Sequence, residues 1–248
     1  MRTTIPKKAP VLLLASVLMI GACASAEVIY SNTNSDSHLR FGPTNQFGDE
    51  IILAGTARTL TAFSFEYWAL NGGTVSPGLS LTAAVQVRFY INDGSPDPNN
   101  GYTRPGTLFY DSGPFLIGPS GATDRSTVNY TPADFLSAGW SGFIPTNHFT
   151  WTVQFSGLDG NDTAGLDVFY PPTVGTSPAQ ENNQLDDYWE FSGGSWALKT
   201  NSVGGVGVDM SFGARFEATV PEPSTMVFGV LGGLGLLVFG RRFVKVSK

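Results

Sequence analysis

The stretch FTWTVQFS, residues 149–156, alternates apolar and polar side chains without interruption. Successive side chains of a β-strand point to opposite faces, so this pattern predicts a strand that buries one face. The same alternation occurs in 61–68, 84–92 and 209–219. The apolar members of the quoted stretch are Phe149, Trp151, Val153 and Phe155. Shorter strands are predicted at 28–31, 50–54, 107–111, 115–117, 127–130, 166–170, 188–191 and 196–199.

The segments between these strands are rich in Gly, Pro, Asn, Asp and Ser, which supply the backbone angles of turns. The best helical segment is 132–138, at most two turns long, with Thr131 as its candidate N-cap. Many strands without helices to cover a parallel sheet favour two packed antiparallel sheets. We therefore predict an all-β, antiparallel β-sandwich or jelly-roll-like single domain over residues 27–219.

Charge is distributed unevenly along the chain. Residues 27–219 contain seven basic and nineteen acidic side chains, a formal charge of −12. A surface of this kind repels a phosphate backbone, so we expect no nucleic-acid partner. The acidity is explained either by solubility outside the cell or by binding of divalent cations. The single cysteine, Cys23, lies outside this body, which excludes a disulfide framework and a thiolate metal site there.

The N-terminus has the three regions of a secretory signal peptide, predicted over residues 1–26. Basic residues are followed by an apolar stretch, 11–20, that is too short to span a bilayer. Ala24 and Ala26 occupy the two positions that a signal peptidase reads, which places cleavage before Glu27. A second interpretation remains: residues 20–23, IGAC, resemble a lipobox, in which Cys23 would carry lipid.

The C-terminus, residues 220–248, has three parts in sequence. The motif VPEPS, residues 220–224, contains Pro221, Glu222 and Pro223. An apolar segment, 225–240, predicts a short helix of about 24 Å at ~1.5 Å per residue, against ~30 Å of hydrocarbon. The basic end, 241–248, begins with Arg241 and Arg242, which would hold that end in the cytoplasm. A plain tail anchor with a chance Pro-Glu-Pro is the alternative.

This order of motif, Gly-rich apolar helix and basic end over Val220–Phe243 closely resembles the PEP-CTERM sorting signal. The resemblance implies processing by an exosortase-type enzyme near the motif. It implies transient insertion into the inner membrane and then delivery to the outer surface or extracellular matrix of a Gram-negative bacterium that makes exopolysaccharide. It covers about a tenth of the chain and implies a destination, with no activity for residues 27–219.

No catalytic constellation is evident between the two ends. The two histidines, His38 and His148, are expected to be solvated or at a strand edge, and the sequence contains neither G-x-S-x-G nor HExxH. Hydrolysis of a glycoside needs only two carboxylates. Residues 186–190, DDYWE, interleave acids with aromatic rings, and are explained equally well by a turn entering a strand.

Two loops are dense in the oxygen ligands that calcium prefers. The first, residues 92–101, contains Asp93, Asp97 and Asn99. The second, residues 159–162, contains Asp159, Asn161 and Asp162. Neither has the spacing of an EF-hand, and plain turns explain the same composition. Calcium is the only cofactor that the sequence suggests.

Exposed aromatic rings flanked by polar groups would allow carbohydrate binding. Trp68 has the opposite strand parity from Phe63 and Phe65, which predicts an outward ring, and Tyr188 and Trp189 adjoin acidic residues. We therefore consider Trp68, Tyr188 and Trp189 as a candidate carbohydrate platform. Burial of these rings in the core is the competing expectation.

The sequence thus predicts an exported surface or matrix protein without catalytic activity, acting in adhesion or in association with exopolysaccharide. An extracellular carbohydrate-active enzyme that uses a carboxylate pair is the alternative. The two differ in their surfaces: an enzyme needs a cleft with convergent carboxylates, whereas a binding module needs an accessible aromatic and polar surface.

Overall fold

The computed structural model describes residues 25–71, 79–99, 101–118, 123–178, 187–203, 206–207 and 210–220. These residues belong to one compact unit. The strands of this part of the chain are β1 Glu27–Ser31, β2 Asp36–Phe41, β3 Gln46–Ile52, β4 Thr59–Asn71, β5 Ala84–Ile91, β6 Leu108–Leu116, β7 Thr123–Tyr130, β8 His148–Ser156, β9 Asp162–Phe169, β10 Asp187–Ser192, β11 Ser195–Thr200, β12 Ser202–Val203, β13 Val206–Gly207, β14 Ser211–Phe212 and β15 Ala214–Thr219. A single helix, α1 Pro132–Ser137, separates β7 from β8 within the described ranges.

The strands form two large antiparallel sheets, as predicted. The seven-stranded sheet has the order β1-β15-β4-β9-β14, with β2 paired to β9 and β7 paired to β4. The six-stranded sheet has the order β11-β10-β3-β8-β5-β6. A separate two-stranded pair consists of β12 and β13. The protein is therefore all-β with a β-sandwich-like arrangement.

The core lies between the inner faces of the two large sheets. The alternation in FTWTVQFS is confirmed, because Phe149, Trp151 and Val153 are fully buried and β8 is paired on both sides, with β3 and β5. Phe63 of β4 is packed against aromatic rings from both sheets. Its ring centroid lies 4.6 Å from that of Phe216 on β15 and 5.8 Å from that of Trp151 on β8. Burial of rings of this size is the dominant stabilising contribution to such a core.

Several strands differ from the sequence prediction in their bounds, and three of these differences have a structural reason. Segments 107–111 and 115–117 form one strand, β6, because a bulge with Gly113 at φ +63° lets the chain continue past the irregularity. Segment 209–219 divides at Gly213, where a Cβ would lie 2.4 Å from the ring of Phe169. Strand β2 is not predicted by alternation, because its irregular register places His38 at φ +60° with its side chain 87% exposed. The expectation of a solvated His38 is confirmed.

Helix α1 begins where the sequence predicts. Thr131 is its N-cap, and Thr131 and Asp134 form a capping box. The backbone N–H and hydroxyl of Thr131 each donate to Asp134 Oδ2 at 2.7 Å. Phe135 is the buried residue of the helix and contacts Tyr110 of β6 and Tyr130 of β7. The helix thus closes the open side of the sandwich between the edge strands of the two sheets.

The outer face of the seven-stranded sheet carries a buried ionic network. Asp167 of β9 is fully buried, and its Oδ1 lies 3.0 Å from Nε of Arg40 on β2. Arg125 of β7 pairs with Glu66 of β4 at 3.1 Å, and Arg40 also pairs with Asp36 at 3.0 Å. Three carboxylates therefore share two guanidinium groups. Burial raises the pKa of Asp167 to about 7; Arg40 and Arg125 oppose the rise, and Asp36 and Glu66 add to it.

This network predicts a pH-dependent stability. In the folded chain Asp167 keeps its proton up to a pH of about 7, whereas in the unfolded chain it releases the proton near pH 4. The contribution of Asp167 to the free energy of unfolding is therefore largest at low pH and is lost as pH rises from about 4 to about 7. Asp167→Asn removes the titration. We expect the variant to gain roughly 1–3 kcal/mol relative to the native chain between pH 5 and pH 8. Urea unfolding at several pH values measures this difference.

The half-buried carboxylate Glu217, whose side chain is 32% exposed and which pairs with Arg215, provides the matched control. Glu217→Asn should change stability by less than about 0.5 kcal/mol across the same pH range. A difference between native and Asp167→Asn chains that stays constant from pH 5 to pH 8 would contradict the raised pKa.

Candidate functional site

The outer face of the six-stranded sheet carries large polar and aromatic side chains in neighbouring rows. Arg88 of β5 lies opposite Thr152 of β8, which lies opposite Gly48 of β3, which lies opposite Trp189 of β10. These residues have the opposite parity from the buried Val85, Val87, Phe149 and Trp151. We call this outer surface the polar face. Its members with long side chains are Gln46, Glu50, Gln86, Arg88, Tyr90, Asp111, Gln154, Trp189, Phe191 and Trp196.

Arg88 is the centre of a hydrogen-bond network on the polar face. Its Nε donates to Asp111 Oδ2 at 3.0 Å. Its Nη1 donates to Gln46 Oε1 at 2.9 Å and to Gln154 Oε1 at 3.2 Å. The other oxygen of Asp111 accepts from Gln86 Nε2 at 2.6 Å. Burial raises the pKa of Asp111, but hydrogen bonds from Gln86, the Gly113 amide and Arg88 outweigh burial and hold the pKa below its usual value.

Gln46 connects this network to the aromatic part of the polar face. Its Nε2 donates to Thr152 Oγ1 at 2.8 Å and to the Tyr90 hydroxyl at 3.1 Å. Because its Oε1 accepts from Arg88, all three partners define the orientation of the amide. A side chain with this many partners is fixed before any ligand arrives.

Three aromatic rings form a wall beside the network. The Trp196 ring on β11 lies 5.2 Å from the Tyr90 ring on β5 and 5.1 Å from the Phe191 ring on β10. Phe191 is 36% exposed. Strands β5 and β11 are four positions apart in the sheet, which is about 19 Å in a flat sheet. Contact between their rings therefore indicates that the polar face is concave.

A cavity of about 340 Å³ opens on this concave surface. Its volume falls in the range of about 300–1,000 Å³ that is typical of small-molecule sites. Its walls combine one guanidinium, three carboxamides, a phenol and an exposed phenyl ring. The lining residues are Asn45, Gln46, Arg88, Tyr90, Gln154 and Phe191. We call it the Arg88 cavity.

A second cavity, of about 250 Å³, lies on the same face beside Glu50 and His148. Nε2 of His148 contacts Glu50 Oε1, and Trp189 Nε1 donates to Glu50 Oε2 at 3.0 Å. His148 begins β8 and is 41% exposed, in agreement with its expected place at the start of a strand. Opposite them, Asn92 and Tyr102 come from the loop that follows β5.

The candidate platform of Trp68, Tyr188 and Trp189 is wrong as a set. Tyr188 and Trp189 are only 7% and 0% exposed. Tyr188 packs against Phe41 in the core, and the indole N–H of Trp189 donates a hydrogen bond to Glu50. Trp68 is partly exposed but lies on the other sheet, where it opposes Gly165. Only Trp189 lies on the polar face, and its burial depends on neighbouring strands that the sequence does not reveal.

The first loop proposed for calcium uses its carboxylates for internal contacts. Asp93 accepts from the backbone N–H and the hydroxyl of Thr107, both at 2.6 Å. Asp97 is buried, accepts from the Asn99 backbone N–H at 2.8 Å and pairs with Arg104 at 3.3 Å. These bonds explain the composition of the loop as a turn.

The second loop is similar. Asp159 Oδ1 accepts from the backbone N–H groups of Asn161 and Asp162 at 2.9 and 3.2 Å. Asp162 accepts from Asn71 Nδ2 at 3.0 Å and from the Ser80 backbone N–H at 2.8 Å. Among the described residues, no group of three or more His, Cys, Asp or Glu side chains is arranged to hold a metal ion.

The described acidic residues of the segment 186–190 are buried. Asp187 and Glu190 are buried, and Asp186 lies outside the described residues. Glu190 accepts from Asn45 Nδ2 at 2.8 Å and from Lys199 Nζ at 3.2 Å. The segment is thus the start of strand β10.

Both sorting segments lie largely outside the described residues. This holds for Ala24 and for 221–248, which include Pro221, Glu222, Pro223, Arg241 and Arg242. Ala26 is described and is exposed immediately before β1. In the described ranges, none of the helices has the length and apolar character to cross a bilayer.

Comparison with protein-family models, with curated proteins and with solved structures finds no match to this chain.

The residues of the Arg88 cavity were not singled out by sequence reasoning. The signal was present in the strands that alternate best: their polar sides carry Gln86 and Arg88 in 84–92 and Gln154 in 149–156. Ser or Thr is sufficient on the solvated side of a strand. Long amide and guanidinium side chains there instead indicate a surface that forms hydrogen bonds.

Asp162 allows the turn and calcium interpretations to be separated. Asp162→Ala leaves the Ser80 N–H without its acceptor, and we expect a loss of about 1–3 kcal/mol in urea unfolding at pH 7. Because hydrogen bonds from Ser80 and Asn71 hold the pKa of Asp162 below its usual value against the effect of burial, the loss should fade as pH falls below about 4.

The same measurement is made in EDTA and in 5 mM calcium, with Asp162→Asn as a control that keeps one oxygen acceptor. Equal losses in both buffers are expected for a turn. A loss that appears only in calcium would support the calcium interpretation, since a bound ion stabilises the folded state alone.

Proposed function

We propose that residues 27–219 form a jelly-roll-like sandwich without catalytic activity that binds exopolysaccharide through its polar face, at the cell surface or in the extracellular matrix. The observation that carries this proposal is the Arg88 cavity on a concave sheet face, with fixed polar groups beside an aromatic wall. Sugars present hydroxyl groups around an apolar ring face. Planar amide and guanidinium donors bind the hydroxyls, and an exposed aromatic ring covers the apolar face.

The location in this proposal comes from the two ends of the sequence. The signal peptide predicts export. The resemblance of 220–248 to a PEP-CTERM signal implies transient residence in the inner membrane, processing by an exosortase-type enzyme and delivery outward. An exopolysaccharide is the polymer that such a setting offers in quantity.

The enzymatic alternative requires two carboxylates that face a substrate. Among the residues that line the two cavities of the polar face, Glu50 is the sole carboxylate, and it contacts His148 and Trp189. Asp111 and Glu190 are not among the lining residues, and they pair with Arg88 and Lys199. This arrangement favours binding over hydrolysis.

Binding is tested with the full chain in mild detergent, by affinity electrophoresis and calorimetry against a panel of purified polysaccharides. Phe191→Ala removes the exposed ring of the cavity and should weaken binding about threefold to tenfold, which is the range for loss of one aromatic contact. The ring is only partly exposed and contacts Trp196, so the melting temperature of the variant is measured as well, and binding is compared at a temperature where both chains are folded.

The matched control is Phe143→Ala, which removes an exposed ring in the segment between α1 and β8 and should leave binding unchanged. Equal binding by native and Phe191→Ala chains would contradict a site at the polar face. Release of new reducing ends from any polysaccharide of the panel would instead support the enzymatic alternative.

The proposed sorting is tested by the mass of the mature protein from surface and medium fractions. We expect an N-terminus at Glu27 and a C-terminus near Pro223, because those are the cleavage sites that the two motifs imply. A chain that keeps residues up to Lys248 in the inner membrane would contradict exosortase processing. A lipidated N-terminus at Cys23 would show that the lipobox interpretation is correct.

A further inference from the structure

Arg88 is the only charged side chain that lines the Arg88 cavity among the described residues. The other lining groups are the neutral Asn45, Gln46, Tyr90, Gln154 and Phe191. The charge is notable because residues 27–219 contain only seven basic side chains against nineteen acidic ones. One of the few cations of an acidic body thus lines a cavity whose other walls are mostly neutral and polar.

The guanidinium of Arg88 is held on two sides by protein acceptors. Nε donates to Asp111, and Nη1 donates to Gln46 and Gln154. In the described part of the chain, Nη2 has no hydrogen-bond partner. The guanidinium of Arg88 is therefore immobilised, and one of its nitrogens, Nη2, is left to donate to a ligand. Little conformational entropy is lost when Nη2 binds an acceptor.

The acidic side chains that adjoin the Arg88 cavity are each paired with a basic side chain. Asp111 is engaged by Arg88 and Gln86, and Glu190 is engaged by Lys199 and Asn45. Two cations and two anions leave this region neutral, although the body as a whole carries −12. Repulsion from distant carboxylates is screened over about 8–10 Å at physiological ionic strength. An anionic group at Nη2 therefore meets a nearby cation, and the two carboxylates that adjoin the cavity, Asp111 and Glu190, are each paired with a cation.

We infer that the Arg88 cavity selects an acidic sugar residue, a uronic acid unit of a polysaccharide, whose carboxylate is bound by Arg88 Nη2. This inference rests on the proposed glycan-binding function and names its ligand class. A guanidinium matches the planar carboxylate and binds it more strongly than it binds a neutral hydroxyl. The Nε2 amide of Gln154, which has no partner among the described residues, supplies a neutral donor for a neighbouring ring hydroxyl.

The decisive probe is a pair of polymers with the same sugar backbone, one with a charged carboxylate and one with a neutral ester: polygalacturonate and its methyl ester, with alginate and its ester as a second stereochemistry. We expect the full chain to bind at least one acid polymer about tenfold to hundredfold more tightly than its ester, the range for one charge-assisted hydrogen bond. Esterification leaves the protein unchanged, so this result does not depend on how any variant folds.

Protein variants locate the effect. Arg88→Gln should reduce binding of the acid polymer to the level of the ester, and Arg88→Lys should retain part of the preference because it keeps the charge without the fork. The matched control, Arg215→Gln, removes a half-exposed arginine that pairs with Glu217 on the seven-stranded sheet and should change nothing. Melting temperatures of all three variants are compared with that of the native chain.

The outcomes separate this inference from the proposed function. Binding to neutral polymers and esters as tightly as to both acid polymers overturns the acidic-sugar inference and leaves glycan binding intact. A preference for the acid polymer that Arg88→Gln retains places the anion elsewhere and overturns the assignment to Arg88. Binding to no polysaccharide, acidic or neutral, overturns both proposals.

Discussion

The packing of aromatic side chains between the two sheets is the interaction on which the rest of the structure depends. Phe63 contacts rings from β15 on its own sheet and from β5 and β8 on the other, with Phe216 at 4.6 Å, Phe89 at 5.2 Å and Trp151 at 5.8 Å. Residues 27–219 contain no cysteine, so no disulfide shares this role. Only a close-packed core holds the six-stranded sheet in the curved shape that makes its outer face concave.

Curvature and hydrogen bonding together give the polar face its properties. Arg88, Gln46 and Tyr90 form a chain of mutually oriented groups, each fixed by the next. Such a network is stable only when its members are satisfied. Arg88 lines the cavity, and its Nη2, which has no partner among the described residues, is left to bind a ligand or water there. The ionic network around Asp167 on the opposite face lacks this feature: it is enclosed, shares two guanidinium groups among three carboxylates, and acts on stability.

Much of the fold was predictable because strand alternation is a local property. Phe149, Trp151 and Val153 are buried as the period of two requires, and Thr131 begins the helix as its side chain predicts. Strand β2 was not predictable, since its irregular register at His38 breaks the alternation and its strand pairing is with β9, which is distant in sequence. The candidate platform of Tyr188 and Trp189 failed for a related reason: alternation says which residues share a face, and not whether another segment covers that face.

By itself the sequence determined the strand class, the faces toward the core, the acidic charge of the body and the segments that resemble export and sorting signals. These depend on residue type and on spacing along a few neighbouring positions. The tertiary structure alone decided the site. Arg88 and Gln46 are 42 positions apart and meet because β8 lies between β5 and β3, while Tyr90 and Trp196 meet because the sheet curves. Strand order and curvature arise from the packing of the whole core, and no local pattern encodes them.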